Sequence, residues 1–392
     1  MRLLLLNRRF KYAAPFAATL LVCATAWAQA NRASFTQLVA QAEQARQADR
    51  VEEALALYRR ALTMRPNWTE GWWYLGTLLY DRDAFAEAAE AFRRAAALDP
   101  KVGTMWVMLG LCEFKLGRHA DALAHIQRGR RLGTSADPQF RRVMLYHEGL
   151  LLIGKGAFEQ ARRTLSLLSR EGVESEELLT ALGLAALNRR FADLLAGGQR
   201  MQRLVQRVGR AEHLAAQKRV AEALREYEGL LAEFPKERNV NYAFGRFLLD
   251  VRDNERAALA FAREIENHPD NVAARLNFAA LKARTDPHLA LRHAEEAVRL
   301  DARLPLGHYL LGTLLLQTDQ IARAIAELEI ARRALPREPQ IYFALARAYA
   351  RANRPQDAER ARAIFRRLTE ERQRSEVDET EIPYTISQKD PR

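Results

Sequence analysis

Trp72-Trp73-Tyr74-Leu75-Gly76-Thr77-Leu78-Leu79, followed by Ala88, Phe92, Ala95 and Asp99-Pro100, is the stretch on which the architecture turns. Trp72, Leu75 and Leu79 stand at i, i+3 and i+7, which puts them on one face of a helix, and Gly76 leaves room there for a partner helix. Ala88, Phe92 and Ala95 at i, i+4 and i+7 make a small-large-small face that nests against the first. Asp99-Pro100 ends the second helix, because the residue before proline is pushed out of the α region and proline lacks the amide that would continue the ladder. One short stretch thus spells two amphipathic helices and the turn that closes them.

The stretch recurs. Ala54, Ala88 and Ala122 are 34 residues apart, as are Pro66 and Pro100, and Gly76 and Gly110. Ala223, Ala257, Ala290, Ala324 and Ala358 follow at spacings of 34, 33, 34 and 34, with Pro235, Pro269 and Pro336 in phase. A fixed period of this length marks a repeat architecture, in which each unit buries its apolar face only by stacking on its neighbours.

Trp72, Leu75-Gly76, Leu79, Ala88, Phe92, Ala95 and Pro100 resemble the tetratricopeptide repeat. Much of the same pattern returns in Trp106, Leu109-Gly110 and Ala122, in Phe244-Gly245, Leu248, Ala257, Phe261 and Pro269, and in Leu311-Gly312, Leu315, Ala324, Leu328, Ala331 and Pro336. Looser copies extend the resemblance over 35–370. It implies an all-α fold: an α-solenoid of stacked antiparallel helix pairs wound into a right-handed superhelix. The interval from Ala122 to Ala161 is 39 residues, and the Gly133–Gln139 cluster reads as a lengthened loop. A larger break follows near 188–203. The expected organisation is a leader over 1–28, an N-terminal array over 35–170, an irregular helical connector over 171–203, a C-terminal array over 204–370, and a disordered polar tail over 371–392.

Arg2, Arg8, Arg9 and Lys11 precede an apolar run from Ala13 to Ala26, and Ala26-Trp27-Ala28 is a small-x-small cleavage triplet, so 1–28 reads as a secretory signal. Export to the periplasm or the medium is expected. No later stretch is long and apolar enough to span a bilayer. Only Cys23 and Cys112 are present, and cleavage removes the first, which excludes an intramolecular disulfide. Losing four basic residues and no acid lowers the net charge from +12 to +8. The charge is spread Arg by Arg through the repeats, as on solvated helix faces, and the focused basic stripe of a nucleic-acid binder is missing. Weak contact with anionic envelope components is compatible with it.

Catalytic and cofactor chemistry finds little support. Gly149 to Gly156 nearly spells a phosphate loop, but Leu150 to Ile153 is an apolar helical run and the final Ser or Thr is missing. The pairs His119/His125 and His288/His293 lack the i, i+4 spacing of a helical metal site. No enzyme activity, cofactor or metal is expected.

The resemblance instead implies a groove lined by the first helices. Trp73, Val107, Tyr146, Tyr242, Tyr309 and Phe343 occupy the position one place after the first large core residue, and Thr77, Leu111, Leu150, Arg246, Thr313 and Arg347 lie one turn further on. Aromatics offer large contact area at low entropic cost, and Arg adds carboxylate and cation-π contacts, which suits a peptide ligand. Members that clamp a chaperone's C-terminal carboxylate use Lys and Asn at these positions. Trp73 with Thr77 and Val107 with Leu111 replace them, so that clamp is absent. The expectation is a non-catalytic scaffold outside the cytoplasm, binding proteins or peptide segments and no nucleic acid. The alternative is an envelope polysaccharide or polyanion binder.

Overall fold

The computed structural model describes residues 34–380, with side chains through Arg374. The leader expected at 1–28 and the tail beyond residue 380 lie outside the described residues. Among the described residues every regular element is a helix. The described residues divide into two compact units, one ending at Val173 and the other beginning at Glu174. The first holds α1 (34–47), α2 (Val51–Met64), α3 (Thr69–Asp81), α4 (Phe85–Leu98), α5 (Gly103–Lys115), α6 (His119–Leu132), α7 (Pro138–Lys155) and α8 (Phe158–Arg170). The second holds α9 (Glu176–Ala186), α10 (Phe191–Ala196), α11 (Gly198–Ala216), α12 (Val220–Glu233), α13 (Val240–Asp250) and α14 (Asn254–Asn267). It continues with α15 (Val272–Lys282), α16 (Pro287–Leu300), α17 (Pro305–Gln317), α18 (Ile321–Ala334), α19 (Pro339–Arg351) and α20 (Pro355–Thr380).

All the helix pairs except α15–α16 close on one backbone device. Asp49, Asp83, Gly117, Gly156, Asn188, Lys218, Arg252, Asp319 and Asn353 all have positive φ just after a first helix. The next amide reaches back five residues, as in Ala84 N–H to the Leu79 carbonyl at 2.9 Å and Asp253 N–H to the Leu248 carbonyl at 2.9 Å. This left-handed cap satisfies carbonyls that the helix end would otherwise leave open, and it reverses the chain. Asp and Asn tolerate the conformation better than other side chains, whereas Lys218 and Arg252 hold it against their preference.

The pairs pack as the period requires. Gly76 faces Phe92 so closely that a Cβ there would lie 2.8 Å from the ring. Tyr58, Phe92, Tyr227 and Phe261, one from each of four second helices, are fully buried. A second recurrent bond ties six of the first helices to the turn before them. Trp72 Nε1 donates to the Pro66 carbonyl at 2.8 Å, Trp106 Nε1 to Pro100 at 3.1 Å, Asn241 Nδ2 to Pro235 at 3.2 Å, and Arg275 Nε to Pro269 at 2.8 Å. His308 and Tyr342 make the same bond to Ala302 and Pro336. Six side chains of five kinds perform one task, anchoring an orphan carbonyl six residues upstream. Exposed ion pairs 28 residues apart join successive second helices, Arg59–Glu87 at 2.6 Å, Glu228–Arg256 at 3.2 Å and Glu295–Arg323 at 2.7 Å. Being exposed, each contributes little.

Within each unit, successive first helices also touch, α5 with α7 in one and α11 with α13, α15 with α17 and α17 with α19 in the other, while no two second helices come as close. These contacts are those expected where first helices line the inner side of a stack.

Two stretches are more regular than their composition suggests. In 171–203, α9 packs along α11 at backbone contact: a Cβ on Gly183 would lie 1.9 Å from the Val205 carbonyl oxygen, and one on Gly209 1.8 Å from that of Leu179. The irregular part is confined to α10 and its flanks. At the other end α20 continues through Thr380, so disorder from residue 371 is corrected over 371–380. Arg367–Glu371 at 3.7 Å and Arg374–Glu370 at 3.9 Å are i, i+4 pairs that support such a polar helix.

Candidate functional site

Of the twelve groove positions of the sequence analysis, Leu111 is buried and Leu150 half-buried, and the other ten separate into three groups. Val107 is 0% exposed, closed in against α6, where the bare Gly129 lets the two helices meet: a Cβ on Gly129 would lie 2.6 Å from Val107 Cγ2. Val107 is thus a packing residue, a correction to its groove assignment. Tyr242, at 9% exposure, lies with its ring 5.9 Å from Phe261 and is likewise part of the core.

Trp73, Thr77, Tyr146, Arg246, Tyr309 and Thr313 are half-buried. The Trp73 ring lies 5.4 Å from Phe92 and packs against the core. The Thr77 and Thr313 hydroxyls donate to the Tyr74 and Leu310 carbonyls at 2.9 and 2.8 Å and are committed to their own helices. Tyr146 meets His147 edge to face at 5.8 Å, and His147 meets Phe114 at 4.8 Å. Burial holds His147 below the usual imidazole range. Burial also raises the Tyr309 phenol above its ordinary value, so it is a neutral donor.

Phe343 and Arg347 are the open members. Phe343 is 46% exposed, with Phe365 behind it at 5.5 Å, and the Arg347 guanidinium stands 5.9 Å from its ring centre. Leu306, 60% exposed and one turn before Tyr309 on α17, joins them on the inner helices; sequence reasoning missed it. Its signal was present, since Leu306 stands three residues before a groove position and outside the core pattern. Leu306 and Tyr309 on α17 and Phe343 and Arg347 on α19 bring apolar, aromatic and cationic groups onto two helices that touch. Such groups suit an apolar side chain and an acidic or carbonyl group.

The near match to a phosphate loop is a helix instead. Gly149 to Lys155 lies in α7, and a Cβ on Gly149 would lie 2.4 Å from Leu165 Cδ2, so the glycine serves packing. Cys112 is fully buried and burial pushes its thiol up to about 12, so it is a protonated core residue rather than a nucleophile. Among the described residues no helix is long and apolar enough to cross a membrane.

A family model described as tetratricopeptide repeat matches residues 39–102, 75–137 and 309–375. No curated protein matches the chain. Among solved structures the chain is similar to MamA in a crystal structure, at 15% identity over 42% of this chain and 96% of that one, with a TM-score of 0.39. It is also similar to MamA from residue 41 to the end from Desulfovibrio magneticus RS-1, at 19% identity over 42% of this chain and 96% of that one, with a TM-score of 0.38.

Proposed function

Because this chain is a tetratricopeptide-repeat protein, we propose that it is a non-catalytic scaffold that works outside the cytoplasm and binds segments of partner proteins along the inner, first-helix face of its stacks. The observation that carries the reading is the set of Leu306, Tyr309, Phe343 and Arg347, in which two large apolar side chains stay open to solvent. An open leucine and an open phenylalanine beside a cation and a half-buried tyrosine favour a binding surface. Trp73 on α3 and Tyr146 on α7 are half-buried aromatics on first helices of the first unit. Export is supported by the basic leader, the apolar run and Ala26-Trp27-Ala28.

Recovery of partners from envelope extract with the protein beginning at Gln29, compared with a Tyr309→Ala/Phe343→Ala/Arg347→Glu variant of equal helicity, tests the reading. Defined proteins recovered by the first and lost by the second support it. Identical recovery by both contradicts it. Recovery of polysaccharide alone, weakening steeply between about 50 and 200 mM salt as counterion release requires, favours the polyanion alternative.

A further inference from the structure

The repeat builds the same cleft more than once in the first unit, between two successive second helices and above the first helix that separates them. Between α2 and α4 it is a cavity of about 360 Å³, and between α6 and α8 one of about 480 Å³. Register fixes the correspondence, since Ala54 matches Ala122, Gly76 matches Gly149, and Phe85 matches Phe158. The apolar floor of the first, Leu62, Leu75 and Ala91, becomes Arg130, Glu148 and Thr164 in the other. The ion pair Arg59–Glu87 that crosses the first becomes Gln127 and Gln160, which carry no charge to close it. Thr63 and Glu90 become Arg131 and Arg163.

Glu148 is 3% exposed, accepting from Arg130 Nη1 at 2.8 Å and from Gln127 Nε2 at 3.4 Å. Trading a core leucine for a buried carboxylate works against stability, because desolvating the pair offsets its attraction. What the trade achieves is orientation: Glu148 holds Arg130 in place. Arg131 makes no ion pair among the described residues, and Arg163 only a loose one to Glu159 at 3.5 Å. Three arginines face one glutamate, with amides and a hydroxyl at hand for a peptide backbone.

We propose that the cleft formed by α6, α7 and α8 is a binding site for the carboxylate side chains of an acidic peptide segment. It rests on the partner-holding reading above and adds a second, outer contact of defined chemistry. The volume exceeds that of a single carboxylate and suits a short run of residues, and the charge is complementary to it.

The test uses the protein beginning at Gln29 and a fluorescent peptide of alternating Glu and Ala, with its Gln-Ala counterpart as reference, read by anisotropy. Preferential binding of the Glu peptide is expected, weakened about tenfold or more by Arg131→Glu/Arg163→Glu and changed less than about twofold by Arg303→Glu/Arg337→Glu, which alters net charge equally elsewhere. Arg130→Leu/Glu148→Leu, which restores the residues of the first cleft, should lose the peptide while its urea midpoint stays the same or rises. Equal weakening by both charge reversals, undiminished binding by both cleft variants, or no preference for Glu over Gln overturns the proposal. So does inorganic phosphate competing as well as the peptide, which would make the cleft a general oxyanion site. None of these outcomes touches Tyr309, Phe343 or Arg347, so the scaffold reading stands or falls separately.

Discussion

The first and third clefts of the N-terminal unit are one backbone design carrying opposite chemistry. Leu62, Leu75 and Ala91 fill the first with carbon, and Arg59–Glu87 crosses it. Arg130, Glu148 and Thr164 place charge and hydroxyl in the third, and Gln127 and Gln160 leave it uncrossed. The copy between them is intermediate, with Glu113 buried at the position of Leu79 and bonded to His125 at 2.6 Å, at the position of Ala91. A scaffold that needs only stability would repeat the first cleft throughout. On the proposal above, the third cleft is where stability was exchanged for recognition.

Moving chemistry between the clefts tests that difference. Leu75→Glu imports the acid of the third cleft without its arginine, since Leu62 stands where Arg130 would be, and should destabilise by about 3 kcal/mol in urea unfolding. Cys112 provides a second readout: its protonated, enclosed thiol should react slowly with thiol reagents in the native protein and about a hundredfold faster in this variant. A change under about 1 kcal/mol would mean that the first cleft tolerates charge and that the contrast is incidental. Arg130→Leu strips the partner from Glu148 and should lose about 1–2 kcal/mol, less than for a wholly buried pair because Arg130 is itself partly exposed, and Glu148→Leu should restore the loss.

A smaller effect concerns pH. His147 lies beside Glu148 on α7, and burial, the largest cause, holds its pKa below the unfolded value of 6.5. The unfolded chain therefore takes up the proton first as pH falls. Stability from the neutral ring is full above about pH 6.5 and is lost as pH drops through that value toward the folded pKa. His147→Gln should flatten that part of the stability profile without abolishing it, because His213 and His293 are shifted the same way by burial. An unchanged profile would remove His147 from the account.

The period made the hairpins, their partners and the large buried residues legible, because 34-residue spacing and i, i+3, i+7 faces are direct consequences of stacked helix pairs. The devices that close them were not. A left-handed cap held by Lys218 or Arg252 carries no turn signal, and a carbonyl anchored in turn by Trp, Asn, Arg, His and Tyr shows no constant residue type. Val107 was misplaced because its burial depends on Gly129, a residue in the facing helix. α20 outran its apolar pattern because charge pairs rather than burial sustain its end. Arg130 and Glu148 stood unmarked for a related reason. Charged residues in a helix read as surface until the neighbouring copy shows that their places belong to the core.

The most direct measurement of the central claim is photo-crosslinking in the living cell, with p-benzoylphenylalanine at position 309 or 343 and at position 259 as the comparison. Leu259 is 62% exposed on the second helix α14, so it is more accessible than the inner positions and differs in face. Discrete adducts with other proteins from 309 and 343, absent from 259, are the predicted result. Adducts of equal yield from all three positions, or none from 309 and 343, would contradict the assignment of partner binding to the inner helices.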